Sequence, residues 1–183
     1  MTDTRRWYTE PETFIAVAAL IVSISAVTVG LYEASLQRHH DRAEVWPRVE
    51  LSTFTTPTGA SLSLENTGIG PAIIKSLTVS VDGKPQKNWS GVLQALLGTA
   101  PQAFNTTTVV EHGIRAGDRA TMVGLRREDM PQNFWQQIGR VAVTVCYASV
   151  FDEHWMLIDE HLGGRTVWKP VDDCPAPLPE TDF

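Results

Sequence analysis

Cysteine is nearly missing from this chain, with two among 183 residues, which excludes a disulfide-dense scaffold. Glycine (13) and proline (11) are sparse and follow no repeat, so a collagen-like chain is excluded too. Positive charge is in deficit: 15 Lys+Arg against 21 Asp+Glu give a net charge of −6, which argues against a nucleic-acid binder held by phosphate contacts. What is present is apolar material, 43% of the residues, too much for a wholly disordered chain. The length fits one folded domain of roughly 150 residues plus an appendage.

That appendage is near the front. Phe14 to Tyr32 reads FIAVAALIVSISAVTVGLY, without one charged side chain, between Glu12 and Glu33. As a helix rising about 1.5 Å per residue, the run nearly matches a hydrocarbon layer of about 30 Å and satisfies its own backbone groups there. A buried soluble helix would carry a polar stripe over five turns. A cleaved secretory signal would have a shorter apolar region, about 7–15 residues, and a small-x-small site; here Tyr32 and Glu33 precede Ala34. The expectation is therefore an uncleaved transmembrane helix over 14–32, after an N-terminal flank over 1–13. Arg5 and Arg6 before the span against Arg38, Arg42 and Arg48 after it leave the orientation open. Ala19, Ser23, Ala26 and Gly30 recur at steps of four, three and four. They form a small-residue face that would let a second helix approach closely, so a homo-oligomer through the span is expected. Residues 33–45, free of Gly and Pro, predict a helical stalk that Pro47 stops.

From Trp46 the periodicity changes to alternation. Leu62 and Leu64 face one way while Ser61, Ser63 and Glu65 face the other, and the same pattern marks Val49 and Leu51, Leu77 to Val81, and Val141 to Tyr147. Turn chemistry separates these runs, including Asn66 to Pro71, the hairpin signal Asp82-Gly83, and Gly163-Gly164. About seven short strands of this kind predict a mainly β domain over 46–169, an immunoglobulin-like β-sandwich, with a small barrel as the other fold considered. Ser90–Gly98 and Glu128–Ile138 predict short helical insertions, and the Pro-rich acidic tail 170–183 predicts an extended or disordered end.

At Trp46-Pro47-Arg48-Val49-Glu50, at Glu65 to Ser76 (ENTGIGPAIIKS) and at Val143 to Trp155 (VTVCYASVFDEHW), the chain resembles a group of uncharacterised bacterial membrane proteins. The likeness covers nearly the whole chain. It implies one amino-terminal span, a helical stalk and an all-β domain, and it supplies no activity. It also implies that Cys146 and Cys174 are one intact pair, since relatives carry further cysteines where this chain has Ala148 and His154.

From the residues alone, two readings of the cysteines stand side by side. A Cys146–Cys174 bond would tie the tail to the sheet and, by closing a loop of about 28 residues, contribute about 3 kcal/mol; it would need an oxidising compartment. Two unrelated thiols in a cytoplasmic domain is the other reading. Asp152-Glu153-His154 and Asp159-Glu160-His161 offer metal-ligand chemistry, but on a strand a seven-residue step separates them by about 23 Å and turns them to opposite faces. Asn66 to Ala72 could present N–H groups to an anion, yet it lacks a phosphate-loop Lys and Ser/Thr, and a structural turn fits better.

The functional expectation is a non-catalytic protein-interaction or assembly module without cofactor or metal, whose partners are the lipid bilayer, an unknown protein and a second copy, and not nucleic acid. The expected location is a bacterial inner membrane with the domain on the periplasmic side. The alternative is a ligand- or metal-sensing, or hydrolytic, domain using the 151–161 hairpin.

Overall fold

The computed structural model describes residues 11–99, 101, 103–177 and 181–183; most of the flank expected over 1–13 lies outside them. It has two compact units, the first ending at Ala43 and the second running from Glu44 to Phe183.

The first unit is one helix, α1 (Pro11–Glu44), in which the expected span and stalk run on without a break. Its stretch Pro11–Arg38 is long and apolar enough to cross a membrane, and none of it is buried in protein. An N-terminal helix of this kind serves as a membrane anchor or as a signal sequence. Three hydroxyls of its apolar stretch bond back to the helix's own backbone: Ser23 Oγ donates to Ala19 O, Ser25 Oγ to Ile21 O and Thr28 Oγ1 to Ser25 O, each at 2.8 Å.

The second unit is mainly β. Its strands are β1 (Val49–Thr56), β2 (Gly59–Asn66), β3 (Ala72–Val81), β4 (Lys84–Pro85), β5 (Asn105–Thr106), β6 (Gly113–Ile114), β7 (Arg119–Arg126), β8 (Val141–Ala148), β9 (His154–Asp159) and β10 (Thr166–Val171). They form two antiparallel sheets, ordered β1-β2-β7-β5 and β10-β9-β8-β3-β4, with β6 also on β3. The alternation does what its period requires: Val141, Val143, Val145 and Tyr147 are all buried, and with Leu62, Leu64, Leu77, Val79, Met122 and Leu157 they join one core fed by both sheets. Asp82 (φ 50°) and Gly83 (φ 75°) make the tight β3–β4 turn in the left-handed region, as the Asp-Gly pair predicts. The two sheets are also tied at one edge, where Trp168 Nε1 of β10 donates to Val49 O of β1 at 2.7 Å. The Arg48 guanidinium lies 4.7 Å from the centre of the Trp168 ring.

The first helical insertion is α2 (Trp89–Leu97). Asn88 caps it by accepting from Gly91 N, Gly98 ends it at φ 80°, and Trp89, Val92, Leu93 and Leu96 are its buried side. The second differs from the helix expected over 128–138. Pro131 cannot donate inside a helix, so the segment divides into a 3-10 turn, Arg127–Asp129, and a short α3 (Phe134–Ile138) in which Phe134 is buried and Trp135 exposed. The described parts of the tail are extended, one of the two forms expected. Its start belongs to β10, and Phe183 is buried against Trp89, because an aromatic ring gains more from an apolar recess than a polar tail loses by being ordered there.

Candidate functional site

The glycine-rich turn 66–71 is built around Asn66, which is fully buried. Its Oδ1 accepts from Arg48 N (3.2 Å) and Gly68 N (3.1 Å), while its Nδ2 donates to Gly70 O (2.8 Å) and Ile114 O (2.9 Å). The remaining backbone donors of the turn are engaged too: Thr67 N donates to Arg48 O, and Ile69 N and Gly70 N both reach Trp46 O. Backbones pass so closely that a Cβ on Gly68 would lie 2.4 Å from Arg48 N, and one on Gly70 1.8 Å from Val45 O. A turn whose N–H groups are all consumed has none left for an anion. Its glycines serve a close crossing of chains.

The 149–161 segment is likewise occupied with holding itself. Ser149 Oγ, in a buried residue, accepts from Phe151 N (3.1 Å) and Glu153 N (3.4 Å), and Asp152 sits at φ 61° in the β8–β9 turn. His154 Nε2 is 3.4 Å from Asp152 Oδ1. At the other end of β9 the buried Asp159 accepts from His161 N (3.2 Å) and Thr166 Oγ1 (3.1 Å), which fixes the turn into β10. His161 Nδ1 lies 3.2 Å from Gly139 O, and His112 Nδ1 lies 3.0 Å from Val110 O. The two acidic-histidine triplets thus stand at opposite ends of one strand. Among the described residues no group of three His, Cys, Asp or Glu could hold a metal ion.

Cys146 and Cys174 form a disulfide, with Cα atoms 5.7 Å apart and a sequence separation of 28. Cys146 is buried on β8, on the side opposite the core valines, between Ser76 of β3 and Met156 of β9 in register. The bond holds the chain beyond β10 against this outer face. Ala19, Ser23, Ala26 and Gly30 are exposed on α1, and a Cβ at Gly30 would meet nothing within 4 Å.

Two surface features were not legible in the sequence. The register Phe54, Ser61, Gly124, Asn105 crosses all four strands of the first sheet, and with Phe104 and Arg126 it outlines an open trough of about 410 Å³. One wall is fixed by the Arg119 guanidinium, 3.5 Å from the centre of the Phe54 ring. Placing Gly124 opposite Ser61 requires the bulge between Leu62 and Ser63, which no local pattern announces. The second is the recess beside Trp89 that Phe183 fills, formed by residues far apart in sequence.

Electrostatic perturbation is concentrated at one exposed pair. The Arg140 guanidinium donates to both carboxylate oxygens of Asp82, through Nε at 2.9 Å and through Nη2. It holds the Asp82 carboxyl below its ordinary 3.8, while the carboxylate raises the Arg140 value. Burial pushes the Tyr147 hydroxyl up, partly offset by a hydrogen bond from the Val49 backbone. No family model matches the chain, and neither a curated protein nor a solved structure matches it.

Proposed function

We propose that this chain is a membrane-anchored, non-catalytic interaction or assembly module: α1 holds an immunoglobulin-like β-sandwich at a bilayer, where the domain meets a protein partner or another copy. The observation that carries this reading is the unburied apolar stretch Pro11–Arg38 leading into a separately compact two-sheet unit. Strand order supports the immunoglobulin-like assignment. β1, β2, β7 and β5 take the places of strands A, B, E and D, and β3, β8 and β9 those of C, F and G. The Cys146–Cys174 bond supports an oxidising compartment, the periplasmic side of a bacterial inner membrane. The small face of Ala19, Ser23, Ala26 and Gly30 supports pairing of spans.

Cross-linking in native membranes, with the size of the full chain in detergent, tests the reading. Recovery of a defined partner or a homo-oligomer is expected, whereas a strictly monomeric chain with no cross-linked partner overturns it. Thiol labelling of intact and lysed cells, with and without reductant, tests the compartment: the cysteines should label only after reduction, and from outside the cytoplasm.

A further inference from the structure

The turns at the two ends of the two-sheet unit differ in chemistry. One end gathers Trp46, the 66–71 turn and the β8–β9 turn: Val49 pairs with Asn66, Ile73 pairs with Ala148, and Asn66 Nδ2 donates to Ile114 O, whose residue pairs with Ala72. Trp46 O accepts from Ile69 N at 3.0 Å, which makes those two loops neighbours. Here the loops expose Trp46 (45%), Ile69 (65%), Val150 (53%) and Phe151 (44%). The opposite end turns on Pro57-Thr58, Asp82-Gly83 and Glu160 to Arg165, which are mostly polar. Its exposed Trp135 is engaged, meeting Phe134 edge to face with centroids 5.4 Å apart.

A single exposed apolar residue is ordinary, whereas several on converging loops mark a contact with protein or with lipid. Two observations favour lipid. Chain connectivity is the first, because α1 joins the domain at Trp46, within the apolar end itself. Pro11–Arg38 is 28 residues long, about 42 Å as helix, which matches a bilayer with both headgroup layers. Only residues 39–45 separate it from Trp46, about 10 Å of helical rise, so lipid is held beside this end while any other partner must diffuse to it. The second is composition: indole and phenyl rings suit the headgroup level, where apolar and polar surroundings meet. Exposed charges of both signs flank the four side chains, Lys75 and Arg115 with Asp118 and Asp152, so the attraction is apolar rather than electrostatic.

Resting on the membrane-anchor reading, we infer that this end of the domain is a second lipid contact. Trp46, Ile69, Val150 and Phe151 enter the headgroup layer of the same bilayer that holds α1. The contact orients the domain, leaving its opposite end and its sheet faces open to solution.

The test uses the full chain in phosphatidylcholine vesicles containing a phosphatidylcholine with a diazirine near the top of its acyl chain, with adducts mapped after irradiation. Adducts are expected on residues 14–32 and, as a second set, at Trp46, Ile69 and 150–151, while Pro57-Thr58 and Asp82-Gly83 stay unlabelled. Adducts on 14–32 with none on the loops, or equal labelling of both ends, overturn the inference and leave the anchor standing. No adducts on 14–32 remove the anchor reading, and this contact with it.

Ile69→Ser combined with Val150→Ser changes only side chains more than half exposed. It should lower the adducts at Trp46 and Phe151 at least about threefold, because the inserted apolar area shrinks, and leave those on 14–32 unchanged. Undiminished loop adducts show touching without insertion and overturn the inference. Label confined to added empty vesicles that reaches the loops but not 14–32 names an opposing bilayer and overturns it. So do copy-to-copy cross-links through a photoreactive residue at position 69 that appear in place of lipid adducts, which name a second copy as the occupant.

Discussion

Asn66 concentrates more of this domain's order than any other polar side chain described, because its four hydrogen bonds join the segment before β1, its own turn and β6. Asn66→Ala leaves buried donors and acceptors unpaired at once. Urea unfolding of the full chain in detergent should register a loss of more than about 3 kcal/mol, since each orphaned group costs about 1–3 kcal/mol. Gly70→Ala should destabilise at least as severely, because its Cβ would meet backbone rather than a movable side chain. The sequence marks 66–71 as a turn through its Asn and Gly content, yet the partners of Asn66 lie up to 48 residues away, and no local pattern encodes such a crossing. The Asp82–Arg140 pair gives a pH signature. Its carboxyl titrates below 3.8 in the fold, so its contribution is present above that value and is lost as pH falls through the lowered one. Asp82→Asn should therefore lower melting at neutral pH and flatten its decline below pH 3.8, followed by circular dichroism across an acid series.

Among the elements, α1 and α2 were legible because their periods are unmixed and their stops are chemical. An uncharged run of helix length can bury itself in only a few ways, and the Asn88 and Gly98 caps of α2 follow from side-chain and backbone rules. Asn88→Ala should cost about 1 kcal/mol by thermal melt, the usual worth of such a cap. The divided segment around Pro131 reads as one helix in sequence because its acidic start and apolar spacing outweigh a single proline in the pattern. If the small face of α1 seats a second helix, Gly30→Ile with Ala26→Ile should reduce energy transfer between labelled copies in vesicles to the level of unrelated spans. Leu20→Ile, off that face, should leave the transfer unchanged.

For the molecule as a whole, the mainly β class was legible from alternation alone, whereas the two-sheet pairing depends on register between strands tens of residues apart. Replacing Cys146 and Cys174 with serine should lower unfolding stability by about 3 kcal/mol, as release of a loop of this length predicts, and the loss should match that produced by a reductant acting on the unaltered chain. A mechanical consequence follows from the crossing at residues 45–48. Tension arriving along the chain from α1 bears first on a clamp of main-chain bonds, Trp46 O to Ile69 and Gly70 and Arg48 O to Thr67. The β1–β2 ladder lies behind that clamp, so a pull through α1 must rupture the glycine turn before any strand begins to peel.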